Sequence, residues 1–170
     1  MLSLLGLVRI RKQHHDAVSR GEWIMTSSVN VQENKGVVAS EGRGLHKGLW
    51  AAQVLLAVAF FAAGMMKSTT PVAELQAKMA WIKDGMEPLV RFIGITEVLG
   101  ALGLILPSAT RIKPILTPLA AVGLAITMVL AMITHLRLGE YPGIVVNVVL
   151  GGLAAFVAWG RFGKAKIAAR

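Results

Sequence analysis

Four long apolar stretches follow one another along this chain of 170 residues. They are separated by short polar segments and cover Gly48–Met66, Leu89–Leu106, Ile115–Leu136 and Ile144–Trp159, the last of which can begin nearer Tyr141. At 1.5 Å per residue, stretches of about 16–22 residues form helices of about 24–33 Å, long enough to cross a bilayer core. Because backbone polar groups in lipid must be bonded within the segment, each stretch is predicted to be a helix.

The segments between these helices predict how they are arranged. Pro107–Pro114 and Arg137–Gly143 are short turns, which place consecutive helices side by side and antiparallel. The predicted fold is therefore an all-α, up-down four-helix membrane bundle. The longer link between the first two spans has apolar residues at helical spacing, which predicts a short amphipathic helix on the membrane surface or over the open end of the bundle. These residues are Val72, Leu75, Met79, Ile82 and Met86, with Trp81 beside them.

The two ends of the chain differ from the predicted membrane domain, residues 48–163. Residues 1–47 are predicted to be a disordered cytoplasmic tail, because residues 26–44 are polar and rich in Ser, Gly and Asn. Met25 resembles a natural start, so we expect residues 1–24 to come from an over-extended gene start. Residues 164–170 form a basic cytoplasmic tail.

Composition supports a membrane protein and excludes several other classes. Hydrophobic residues make up 55% of the chain and charged residues 16%, against about 25% charged residues in soluble proteins. The absence of cysteine excludes disulfides and thiolate metal sites. The net charge of +9 comes from Lys and Arg at the ends of the spans, which argues against nucleic-acid binding. Their excess near the two termini and in the 107–114 turn predicts that both termini are cytoplasmic.

Glu97 is the most unusual residue, because it lies within an apolar span. A carboxylate in the hydrocarbon layer costs about 2.5–3.5 kcal/mol, so it requires a partner, a proton or a task. Each of the other spans also carries one polar residue near the same predicted outer side: Lys67, His135 and Asn147.

Small residues accompany three of these polar residues at helical spacing. They lie three positions before and four positions after Glu97, four positions before and after Asn147, and four positions before Lys67. Small residues allow helices to pack closely, so these faces should point into the bundle. The four residues therefore predict a polar pocket in the outer half of the bundle.

Three interpretations of this pocket remain open at the level of residues. In the first interpretation, the pocket is a structural network that pairs Lys67 with Glu97 and Asn147 with His135. Alternatively, Glu97 and His135 exchange a proton with a small lipophilic substrate such as a quinone. A haem bound by His135 is the least favoured, because no second helix-borne His exists. No metal site is evident.

The spans resemble the DoxX-like proteins, small four-helix bacterial membrane proteins, over residues 49–163. The most specific segment, RFIGITEVLGALGLILP at 91–107, has the form G-x-x-E-x-x-G-x-x-G-L-x-x-P. The other matching segments are LWAAQVLLAVAFFAAGMMK at 49–67, LTPLAAVGLAITMVLAMITHL at 116–136, and the fourth span with Asn147.

The resemblance implies a multi-pass protein of the bacterial inner membrane. It also implies that four polar positions match those of the family: Lys67, Glu97, His135 and Asn147. It also implies a link to quinones, since the family takes its name from a subunit associated with quinone-linked sulfur oxidation. We therefore expect an accessory subunit or binding module for a membrane or soluble oxidoreductase partner. The alternative is a membrane enzyme or transporter that acts through Glu97 and His135. Small-residue faces would also allow oligomers.

Overall fold

The computed structural model describes residues 22–170, with side chains from residue 43 onward. It contains helices and no strand within these residues, so the predicted all-α fold is confirmed. The helices are α1 (Glu22–Thr69), α2 (Val72–Lys78), α3 (Glu87–Thr110), α4 (Leu116–Leu138) and α5 (Tyr141–Phe162). Most of the proposed over-extended start lies outside the described residues.

Four segments of these helices are long and apolar enough to cross a membrane. They are Arg43–Thr69, Glu87–Thr110, Leu116–Leu138 and Tyr141–Phe162. Each contains nearly all of the corresponding predicted span and extends beyond it by up to several residues at one or both ends.

The helix α1 begins at Glu22, so it runs through the stretch whose composition predicts a disordered tail. Once a helix has formed in an apolar span, each further residue adds a backbone hydrogen bond without a new nucleation step. The predicted boundary at residue 47 therefore does not coincide with the end of a helix.

Close contacts at glycines join each spanning helix to the next and the last to the first. The contacting pairs are Gly64 with Gly94, Gly100 with Leu124, Met128 with Gly151, and Leu49 with Gly160. Within residues 44–170 the order of neighbours is therefore α1, α3, α4, α5 and back to α1, as expected of an up-down bundle.

The bundle has an apolar interior and an apolar exterior. Leu56, Phe60 and Leu104 are buried in the core, whereas large side chains such as Val58 and Phe92 are about two-thirds exposed on the outside. Soluble proteins rarely expose apolar surface on this scale. The exposed side chains of the four helices therefore face lipid.

The link between the first two spans packs onto one end of the bundle, called here the Lys67 end. The helix α2 stops at Lys78, earlier than the apolar spacing indicates, because Met79 adopts an extended conformation. Leu75 and Ile82 are nevertheless buried and form a small cluster with Val90 of α3. The short surface helix is thus present and covers this end.

The opposite end, called here the Arg161 end, differs from the sequence prediction at one turn. The predicted turn began at Pro107, but α3 continues to Thr110 with Pro107 buried inside it. Proline removes one helical hydrogen bond, a loss that neighbouring helices can offset in membrane proteins. Pro107 leaves the carbonyl four residues earlier, that of Gly103, without its helical donor. The Gln53 side chain donates to the next carbonyl, that of Leu104, at 2.6 Å.

Candidate functional site

Lys67 and Glu97 form a buried ion pair between α1 and α3. The Lys67 Nζ atom lies 2.8 Å from Oε1 and 2.7 Å from Oε2 of Glu97, so it engages both carboxylate oxygens. The Glu97 side chain is 3% exposed and the Lys67 side chain 12% exposed. The carboxylate in the apolar run therefore has a direct counter-charge.

Gly64 and Gly94 lie three positions before Lys67 and Glu97, and their close packing explains why the ion pair can form. A β-carbon at Gly64 would lie 2.6 Å from the Gly94 carbonyl oxygen, and one at Gly94 would lie 2.8 Å from the Gly64 carbonyl oxygen. The backbones of α1 and α3 are therefore nearly in contact. Helical side chains lean toward the N-terminus of their own helix, so in these antiparallel helices Lys67 and Glu97 lean toward each other.

Arg91 holds the end of α1 that carries Lys67. Its Nη1 atom donates to the carbonyl oxygens of Lys67 at 2.8 Å and Thr70 at 2.7 Å. Its Nη2 atom lies 3.2 Å from Glu87, one turn earlier on α3. The last carbonyls of a helix lack partners within it, so this arginine caps α1 and fixes the position of the lysine.

His135 is bound to a residue that sequence analysis did not single out. Its Nδ1 atom lies 2.6 Å from a Glu140 carboxylate oxygen, and its ring packs against Gly143 of α5. Within the described residues it forms no hydrogen bond with Asn147 or Glu97. Gly139, in the left-handed conformation at φ 71°, turns the chain so that Glu140 returns to the histidine.

Two buried polar groups toward the Lys67 end have no partner among the described residues: Nδ2 of Asn147 and Oγ of Ser68. Asn147 is 8% exposed and lies between two glycines of α5 that pack against α4. Ser68 faces Gly94, where an added β-carbon would lie 2.6 Å from its Oγ. Buried hydrogen-bonding groups are normally paired, so these two groups are exceptions.

The structure thus joins two of the four predicted pocket residues directly. Lys67 bonds Glu97, His135 bonds Glu140, and Nδ2 of Asn147 is buried without a partner among the described residues. In the described part of the chain, no group of three or more His, Asp or Glu side chains is placed to hold a metal ion.

A second buried polar network, missed from the sequence, lies at the Arg161 end and takes one side chain from each spanning helix. Arg161 Nε donates to Gln53 Oε1 at 2.7 Å, and Gln53 Nε2 lies 3.4 Å from Ser108 Oγ. The Ser108 and Thr117 hydroxyls are 2.8 Å apart. Each of the four side chains is at most 4% exposed.

Only one signal in the sequence pointed to this network. Gln53 interrupts an apolar run much as Glu97 does, without the charge that made Glu97 conspicuous. Ser108 lies in the predicted Pro107–Pro114 turn, and Arg161 lies beyond the predicted end of the fourth span at Trp159. Their burial follows from the extension of α3 and α5 past the predicted ends.

A family model for the DoxX-like family matches residues 51–157. The matched region contains all four predicted pocket residues together with Gln53, Ser108 and Thr117, and it ends before Arg161. Comparisons with curated proteins and with solved structures find no match. The match covers more than half of the chain and agrees with four membrane-spanning helices, so this protein belongs to the DoxX-like family.

Proposed function

We propose that this protein is a membrane-embedded binding module that holds a small lipophilic carbonyl compound, such as a quinone, for a partner oxidoreductase. The observation that carries the proposal is the pair of buried, unpartnered groups, Asn147 Nδ2 and Ser68 Oγ. A quinone offers carbonyl oxygens, which accept hydrogen bonds, and an apolar body that partitions into lipid.

The state of the charged groups supports binding rather than catalysis. Both Glu97 oxygens are bonded to Lys67, and His135 is bonded to Glu140. A general acid or base must lie within hydrogen-bond reach of the proton that it transfers. Glu97 could therefore act in the enzyme or transporter alternative only after its pair with Lys67 opens, whereas the bond to Glu140 occupies only Nδ1 of His135 and orients its ring.

Energetics also favour an acceptor ligand at the unpartnered groups. A buried donor without an acceptor costs about 1–3 kcal/mol, which a bound carbonyl would recover. The apolar exterior lets such a compound approach from the bilayer without crossing water. The proposal includes an oxidoreductase partner because the family resemblance implies that such proteins act as membrane partners of redox proteins.

The proposal is tested by titrating a short-chain quinone into the protein in lipid nanodiscs and following tryptophan fluorescence. Asn147→Leu should weaken binding about tenfold, the value of one lost hydrogen bond. Thr127→Val is the matched control, because the Thr127 hydroxyl is bonded to Gly123 of its own helix. Equal affinity for wild type and Asn147→Leu would refute a role for this amide.

The Glu97→Gln variant separates the two functions. Unchanged quinone affinity is expected if Glu97 is a structural residue, whereas lost binding or lost turnover would favour the enzyme or transporter. The partner is tested separately by affinity capture from native membranes after cross-linking, where recovery of this chain alone would contradict it. An absorption spectrum of the purified protein, in which we expect no Soret band, tests for haem.

A further inference from the structure

Arg161 is a buried cation without a counter-charge among the described residues. Its side chain is 4% exposed, and none of the ion pairs formed by the described residues includes it. Its neutral contacts are Gln53 through Nε and, through Nη1, the Ala165 carbonyl at 3.1 Å and His46 Nδ1 at 3.2 Å. The Trp50 ring centroid lies 5.6 Å from its Cζ atom. Nη2 is buried and has no partner.

A guanidinium in this state is suited to an oxyanion. Burial of a cation is strongly unfavourable unless it is paired, and the neutral acceptors around Arg161 engage only Nε and Nη1. Nη2 therefore keeps two N–H donors, and each can give a charge-assisted hydrogen bond to a phosphate oxygen.

The surrounding charge also favours an anion. Between residues 44 and 170, every Asp and Glu side chain lies nearer the Lys67 end, as the sequence positions show: Glu74, Asp84, Glu87, Glu97 and Glu140. Within the same residues 44–170, the charged side chains at the Arg161 end are all basic: Lys47, Arg111, Lys113, Arg161, Lys164, Lys166 and Arg170. Such a cluster attracts phosphate at the membrane surface.

The position of the guanidinium along the helix fits a phosphate at headgroup depth. Arg161 is the penultimate residue of the spanning segment Tyr141–Phe162. The chain after Gly163 lies outside any helix, and its Ala165 carbonyl accepts a hydrogen bond from Nη1 of Arg161.

We propose that Arg161 forms a phosphate-binding site at this end of the bundle, with Nη2 as the donor and the headgroup of an anionic phospholipid or a free phosphate compound as the ligand. The site is separate from the Lys67 end and does not depend on quinone binding. Arg161 itself lies four residues beyond the last residue matched by the family model.

The test measures the thermal midpoint of the purified full-length protein in phosphatidylcholine nanodiscs, with and without phosphatidylglycerol, and separately with added inorganic phosphate. High salt is used throughout, because it screens exposed charges more than buried ones. A midpoint raised by phosphatidylglycerol alone assigns the site to lipid, and one raised by inorganic phosphate assigns it to a soluble phosphate compound. No shift in either arm for wild type overturns the proposal without any variant.

Two variants then test the residue. Arg161→Gln removes the charge, and Lys166→Gln is the matched control, since Lys166 is an exposed cation at the same end. Phosphatidylglycerol binding, followed by native mass spectrometry, should weaken about tenfold or more in Arg161→Gln, as expected for a charged hydrogen bond, and stay unchanged in Lys166→Gln. Equal loss in both variants would show a general charge effect and refute the site. If Arg161→Gln does not fold, Arg161→Lys keeps the charge but lacks the Nη2 donors, and unchanged binding in it would refute the role of Nη2.

Discussion

The ion pair between Lys67 and Glu97 predicts an asymmetric effect of removing either partner. Lys67→Met leaves a carboxylate that is 3% exposed and lies ten residues after the first residue of α3, about 15 Å along the helix. Glu97→Gln leaves a lysine two residues from the end of α1, which can extend its ammonium toward the interface. The lysine substitution should therefore cost more.

The expected magnitudes follow from this geometry. Breaking a buried pair by removing one partner costs about 3–5 kcal/mol, and we expect Lys67→Met in this range. Glu97→Gln should cost about 1–2 kcal/mol, because the remaining charge reaches the membrane surface. The double variant should cost no more than Lys67→Met alone, since the uncompensated carboxylate is gone, which gives a coupling energy of at least about 1 kcal/mol.

The assay is the free energy of unfolding of the four proteins in the same lipid bicelles, obtained by steric trapping. The control is Thr127→Val combined with Glu97→Gln, since Thr127 is bonded within its own helix and the two costs should add. The reasoning is refuted if the Lys67→Met and Glu97→Gln costs add within about 0.5 kcal/mol, the margin for independent sites. A larger cost for Glu97→Gln than for Lys67→Met would refute the asymmetry alone.

Two further predictions concern the contacts between helices. Gly64→Ala should destabilise the bundle by about 1–3 kcal/mol in the same unfolding assay, because its β-carbon would lie 2.6 Å from the Gly94 carbonyl oxygen. The control is Gly123→Ala, which should be neutral or slightly stabilising because nothing lies within 4 Å of its β-carbon. Gln53→Leu should cost about 1–3 kcal/mol, because it leaves buried Arg161 Nε without its acceptor; near-neutral stability in that assay would show that the network at the Arg161 end contributes little.

The pairing of Glu97 could be anticipated because charge in lipid demands a partner, whatever the details of packing. Lys67 is a basic residue at the end of an adjacent span, and the structure pairs it with Glu97. The partner of His135 could not be anticipated in this way. It depends on Gly139, which reverses the chain and brings Glu140 back, a local geometry that apolar spacing does not encode.

The sequence by itself determined the class of this protein: four apolar helices, their antiparallel order, and a surface helix between the first two. Those features follow from hydrophobic length, loop length and the cost of unbonded backbone in lipid, which are properties of segments. Apart from the pairing of Lys67 with Glu97, only the tertiary structure decided which polar groups meet. Glycine contacts set the helix separation near Lys67, and helices extending past their apolar runs buried Arg161 with Gln53. Such contacts join residues distant in the chain, so they depend on how the helices pack and not on the pattern of any one of them.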